Sequence, residues 1–250
     1  MKGSVVAENL PKAYSMPFRS PMFVPPPYRY EGNRQVNLIF KTAQKAIEQL
    51  VPSPLVPNPD GFASLYYASF RLVEPYKQTY NEVGIVIPVA FKGVAGVYFA
   101  YMYLDSAPGV VGGREIWGFP KKDATIKITD DGTTITALVS RNGAKLIEAT
   151  FEINSRATAI PPNPFKSFYN LKVIPSVGNV EVPEVMQLTS MPIVRDSKEV
   201  FSGTGAATLS SSALDLLGEI PILAIVHAQL DIHDMSLCCG EVVYDYLKGQ

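Results

Sequence analysis

From residue 84 onward the chain is a succession of short runs rich in Val, Ile, Tyr and Phe, each ended by a turn signal. β-Branched and aromatic residues fit a pleated, half-buried surface, so these runs read as strands. Residues 84–91 and 93–104 are the most apolar. Residues 127–129 and 134–139 flank Asp130-Asp131-Gly132, a hairpin signal, and residues 145–153 follow a second one at Arg141-Asn142-Gly143. Residues 167–174, 184–191, 223–233 and 239–247 complete the set. Many short strands joined by turns predict a mainly β domain, a sandwich or a closed barrel.

The rest of the chain adds little to this. Residues 1–30 are proline-rich and read as an irregular N-terminal arm. Residues 34–41 alternate enough for a strand. Thr42 is placed as the N-cap of a short helix whose Ala43, Ala46, Ile47 and Leu50 share one face. Pro52 and Pro54 stop it. Residues 211–217 read as a second short helix with serine caps. With no linker or repeat, residues 1–250 read as one domain.

Charge narrows the partners. Lys and Arg number 22 against 23 Asp and Glu, a net charge of −1, so nothing favours nucleic acid or an anionic membrane. Charged residues make up 18%, low enough to hint that subunit contacts bury surface. The N-terminus lacks the apolar run of a signal peptide, and residues 93–104 are too few to span a bilayer. Cys238 and Cys239 are adjacent, and on a strand they would point to opposite faces and form no bridge. A cytoplasmic protein fits best. There is no GxSxG, HExxH or P-loop. If His227 and His233 lie on one strand they are about 20 Å apart, too far to share a metal.

One segment carries chemistry: Gly112-Gly113-Arg114-Glu115-Ile116-Trp117-Gly118-Phe119-Pro120-Lys121-Lys122. On composition alone it is a surface turn with two solvated lysines, since lysine is rarely buried. Yet Gly-Arg-Glu, an aromatic, Pro120 and Lys121-Lys122 resemble the active-site signature of the acetoacetate decarboxylase family. The resemblance continues, in order, through residues 27–42, Tyr80-Asn81-Glu82-Val83-Gly84, Met102-Tyr103-Leu104-Asp105, residues 171–175 and residues 241–248. It covers nearly the whole chain after about residue 15.

The resemblance implies a cone-shaped, mostly antiparallel β-barrel with a few short helices, assembled into a large homo-oligomer. It implies a carboxy-lyase that decarboxylates acetoacetate or a related β-keto acid without a cofactor. The Schiff-base lysine falls on Lys121 and its neighbour on Lys122. A catalytic and substrate-binding carboxylate falls on Glu82, and a substrate-binding arginine on Arg34. There is one departure. Where the family usually carries a glutamate that engages the second lysine, this chain has Tyr67, with Tyr66 beside it.

An imine requires a neutral amine, and an ordinary lysine with a pKa of about 10.4 is almost wholly charged at pH 7. Burial disfavours the ammonium more strongly than a cation about 6 Å away, so desolvation is expected to dominate over Lys122. Extended chain would also turn the two lysines to opposite faces. Arg114 and Glu115 read as structural, bonding nearby backbone or each other. Two other readings stay open: a Schiff-base aldolase, dehydratase or cyclase of the same fold, and a non-catalytic barrel that binds a small ligand.

Overall fold

The computed structural model describes residues 14–160 and 162–249. Residues 14–27 run as bends and irregular chain. The strands and helices then follow as β1 (Tyr28–Lys41), α1 (Gln44–Leu50), β2 (Val56–Pro57), β3 (Phe62–Glu74), β4 (Gln78–Phe91), β5 (Val94–Leu104) and α2 (Ala107–Gly112). A π-helical turn (Gly113–Trp117) leads into β6 (Lys121–Asp123). After it come β7 (Thr125–Asp130), β8 (Thr134–Arg141), β9 (Ala144–Arg156), β10 (Ser167–Pro175), β11 (Pro183–Pro192) and β12 (Val194–Leu209). The chain ends with β13 (Ser211–Ser212), β14 (Asp215–Leu216), a 3₁₀ turn (Leu217–Glu219), β15 (Ala224–Leu237) and β16 (Glu241–Asp245).

One large sheet contains almost all of these strands, in the order β16-β11-β10-β5-β4-β3-β1-β15-β12-β9-β8-β7. Short β2 and β6 attach to β4 and β5. Neighbours are antiparallel except where β5 meets β10 and β6. The fold is mainly β as expected, but the hydrogen-bonded barrel is not formed. β7 packs against β4 and β5 without pairing with either. The sheet ends at β16 on one side and β7 on the other, and these two edge strands do not pair, so the circle stays open.

Side-chain alternation splits the sheet into two apolar faces. Along β3, Leu65 and Tyr67 enter one cluster, with Val83, Ile85, Leu146 and Phe151. Tyr66, Ala68 and Phe70 enter the other, with Phe99, Met102, Trp117 and Phe119. Burial on both sides explains why residues 84–91 and 93–104 read as near-continuous apolar runs, whereas β3, buried in the same way, was not singled out in the sequence. Each fully buried Leu, Ile or Val there contributes about 1.5–3 kcal/mol.

Several local expectations change. Residues 211–217 form a two-stranded hairpin and a 3₁₀ turn, not a helix, because Ser211 and Ser212 pair with Leu216 and Asp215. The first helix begins after Ala43, without a side-chain cap. Thr42 instead donates its backbone N–H to Gly61 O, 2.9 Å away. β1 starts at Tyr28, inside the segment read as an irregular arm. β12 is the longest strand, and its polar sequence (VRDSKEVFSGTGAATL) gave no strand signal. Cys238 and Cys239 lie in the loop before β16, not on a strand, so their Sγ atoms come within 3.8 Å. Among the described residues no helix is long and apolar enough to cross a membrane.

Candidate active site

The segment from α2 to β6 is built to fix one side chain. Ser106 caps α2 by accepting from the backbone N–H of Gly109, at 3.3 Å. The π-helical turn ends at Gly118, whose φ of 77° is left-handed. A Cβ at Gly118 would also stand 2.5 Å from Lys172 Cβ. Trp117 Nε1 donates to Cys238 O at 2.9 Å, and Thr189 Oγ1 donates to Trp117 O at 2.6 Å. Arg114 donates to the backbone oxygen of Lys121 at 3.1 Å, while Glu115 accepts from Ser15 at 3.1 Å. Lys121 then pairs with Met102 on β5.

The result is a buried lysine, 5% exposed. Its Nζ lies 3.2 Å from Glu82 Oε2 and 5.2 Å from the centre of the Phe119 ring. Tyr66 donates to the other Glu82 oxygen at 2.8 Å. Burial, and then the Glu82 charge, raise the Tyr66 phenol well above its ordinary pKa, which keeps it a donor. Gly113 packs on the lysine stem so closely that a Cβ there would stand 2.5 Å from Lys121 Cδ.

Lys121, Glu82 and Tyr66 open onto a cavity of about 570 Å³. Val97, Phe99, Met102, Phe168 and Leu237 supply apolar wall. A second, far smaller cavity of about 20 Å³ touches Lys121 from the side of Tyr30, Tyr80 and Gly113. It has room for about one water. Tyr80 donates to the Tyr30 hydroxyl at 3.2 Å, and burial raises both phenols.

Lys122 turns the other way, as strand alternation requires. Its Nζ bonds Asp215 Oδ1 at 2.7 Å and Leu214 O at 2.6 Å. Asp215 is 1% exposed and also accepts from Tyr103 at 2.9 Å, Ser212 at 3.1 Å and Arg141 at 3.4 Å. Burial pushes its carboxyl up, but the bonds from Lys122 and Tyr103 outweigh that and hold it below the usual range. Asp215 thus supplies the carboxylate that the sequence lacks at Tyr67. Tyr67 itself lies in the apolar cluster, its hydroxyl donating to Ile135 O at 2.9 Å.

Arg34 is not brought to the cavity. Gln35, Asn37 and Ile39 line it, so Arg34 points to the opposite face of β1 and pairs with Asp130 at 2.6 Å. The arginine on the cavity wall is Arg195. It pairs with Asp231 at 2.8 Å and bonds His233 Nδ1 at 3.0 Å. Burial, then the Arg195 charge, lower the His233 pKa to about 3.

Tyr66, Tyr30, Tyr80, Arg195 and Asp215 escaped the sequence reading. Register alone marks Tyr66: Glu82 faces the site, its partner Ala68 does too, and Tyr66 is two residues away on that face. Asp215 and Arg195 arrive from 93 and 74 residues beyond Lys122 and Lys121, with no local pattern to mark them. Among the described residues no cluster of three or more His, Cys, Asp or Glu is placed to hold a metal ion.

Comparison with known proteins gives a consistent result. Residues 15–247 match the family described as Acetoacetate decarboxylase (ADC). The chain is 33% identical to acetoacetate decarboxylase of Paraburkholderia phytofirmans, over 97% of this chain and 96% of that one. It is 34% identical to the Burkholderia ambifaria enzyme, over 94% and 96%. A solved acetoacetate decarboxylase superposes with a TM-score of 0.85 at 28% identity, covering 94% of this chain and 97% of that one. The enduracididine biosynthesis enzyme MppR, solved with pyruvate, shares the fold with a TM-score of 0.82 at 19% identity, over 94% and 99%.

Proposed function

The chain belongs to the acetoacetate decarboxylase family of decarboxylase-type lyases, and on that premise we propose that it decarboxylates acetoacetate or a closely related β-keto acid through a Schiff base on Lys121. The observation that carries this reading is a buried lysine held 3.2 Å from a buried carboxylate at the wall of a largely apolar cavity.

The reaction follows from charge. Glu82 takes a proton from the Lys121 ammonium, and the freed amine attacks the ketone carbon. The carbinolamine takes a proton back and loses water, leaving an iminium. The bond to the carboxylate breaks, its electron pair flows to the iminium nitrogen, and carbon dioxide leaves. The resulting enamine is protonated on carbon, and water hydrolyses the imine to acetone and free Lys121. The iminium is itself the electron sink, so the step requires no cofactor. Apolar walls such as Phe99 and Phe119 disfavour a localised carboxylate charge, whereas the transition state disperses it. Tyr66 holds Glu82 in place for the proton transfers. The small cavity beside Tyr30 and Tyr80 has room for the water lost and regained. The same reading includes assembly into a homo-oligomer, which sedimentation would register as a multiple of the single-chain mass.

A second reading rests on cavity size. A volume of about 570 Å³ exceeds what a four-carbon acid fills, leaving room for a longer oxo acid or for a second reactant condensing with an enamine. Borohydride trapping with acetoacetate, peptide mass spectrometry and carbon dioxide release separate these cases. A reduced adduct on Lys121 with gas supports the decarboxylase. An adduct without gas moves the outcome to aldol, dehydration or cyclisation chemistry. No adduct with any oxo acid leaves a non-catalytic binding protein.

A further inference from the structure

The reacting carboxylate needs an anchor, and Arg34 is turned away from the cavity. A chain of amides on the cavity wall offers another. Arg195 donates to Gln35 Oε1 at 3.4 Å, and Gln35 Nε2 donates to Asn37 Oδ1 at 2.7 Å. A guanidinium can only donate, so it fixes which end of the Gln35 amide faces it. Gln35 then fixes Asn37 in the same sense. What Asn37 has left to offer the cavity is its N–H₂ group, polarised by a relay that begins at a cation. Asp231 neutralises Arg195 at 2.8 Å, so the relay ends in donors without bringing a net positive charge.

Asn37 stands directly opposite Gln229 on β15 and opposite Tyr66 on β3. Directly paired residues share a face, and both Asn37 and Gln229 line the cavity. The Gln229 oxygen lies 3.0 Å from His227 Nε2, and with that nitrogen donating, the Gln229 N–H₂ has no acceptor among the described residues. Two amide donors therefore lie side by side, Asn37 one strand and Gln229 two strands from the tyrosine that holds Glu82.

We propose that Asn37, with Gln229 beside it, binds the carboxylate of the oxo-acid substrate while Lys121 holds its ketone carbon. The inference rests on the Schiff-base reading of Lys121. The substrate sets the required reach: a β-keto acid puts its carboxylate oxygens about 4 Å from the imine nitrogen, and a donor lies about 3 Å beyond. Asn37 is one strand from Tyr66, two from Glu82 and four from Lys121, and all four side chains line the one cavity that the substrate would bridge. Uncharged donors also suit the chemistry. They orient the carboxylate without the ion pair that would stabilise its charge most before carbon dioxide leaves.

The test compares acetoacetate with pentane-2,4-dione, a neutral ketone that forms an imine but has no carboxylate. Trapping rates on Lys121 are measured for the wild type, Asn37→Asp and Gln229→Leu. Asn37→Asp replaces a donor with an anion, so trapping of acetoacetate is expected to fall at least about 100-fold while trapping of the neutral diketone stays within about twofold. Gln229→Leu shifts the same ratio about tenfold, in the same direction. Unchanged acetoacetate trapping in Asn37→Asp overturns the proposal. So does equal loss with both ligands, which makes Asn37 merely structural. A wild type that traps neither ligand instead removes the Schiff-base reading, and the carboxylate anchor falls with it.

Discussion

At the residue scale the two adjacent lysines have different surroundings, and their substitutions should separate accordingly. Lys121→Ala removes the one amine that the described residues place beside Glu82 in the cavity wall, so imine trapping is expected to vanish and kcat/KM to fall by about 10³-fold or more. Lys122→Ala leaves buried Asp215 with Tyr103, Ser212 and Arg141. Its cost should appear as about 1–3 kcal/mol of stability, with trapping retained and kcat lowered by about tenfold at most. Equal loss of trapping in both variants would sink this division of roles. Tyr66→Phe deletes the donor to Glu82 and is expected to lower kcat/KM by about 10- to 100-fold while preserving the fold, since the ring still packs against Phe99. Steady-state kinetics beside a thermal melt would decide it.

At the scale of elements, the π-helical turn and β6 act as one positioning device, and its two glycines fail in different ways. Gly118 needs a positive φ, and its would-be Cβ meets backbone of Lys172 at 2.6 Å. Gly118→Ala is therefore expected to cost several kcal/mol, about 3 or more, read as a lowered Tm. The atoms nearest a Cβ at Gly113 belong to the Lys121 side chain rather than to backbone. Gly113→Ala should leave Tm nearly unchanged while displacing the nucleophile, with kcat down about 10- to 100-fold. A Gly113→Ala enzyme with full activity would show that the stem has slack the packing denies.

At the scale of the whole molecule, the Arg195–Asp231–His233 cluster ties β1, β12 and β15 together and links stability to pH. Burial and then the Arg195 cation depress His233 to about 3, with Asp234 and the Asp231 backbone oxygen opposing. The folded protein therefore binds fewer protons at this residue than the unfolded chain between about pH 6.5 and pH 3. Its contribution is complete above pH 6.5 and is lost as pH falls, by up to about 1.4 kcal/mol per pH unit. Urea unfolding of the wild type at pH 7 and pH 5 should show this loss. His233→Gln, which keeps an acceptor for Arg195 but does not titrate, should flatten the slope. An equally steep slope in the variant would assign the effect to other groups.

The sequence alone determined the class of fold and singled out Lys121 and Glu82 as candidate site residues. Apolar runs such as residues 84–91 are legible because a buried strand must be apolar whatever it pairs with. Glu82 and Lys121 lie in contiguous stretches that resemble the family's, so both could be placed without coordinates. β12 was not legible, because its polar residues become strand only through pairing with β9 and β15. Nor was the open sheet, which depends on the edge strands β7 and β16, far apart in sequence, not pairing with each other. Arg34 illustrates the limit most directly. Side chains alternate along a strand, so the face on which residue 34 lies depends on register, and register is set by long-range pairing. The same tertiary pairing brought Asp215 to Lys122 and aligned Arg195, Gln35 and Asn37 along one wall, groups that no local spacing connects.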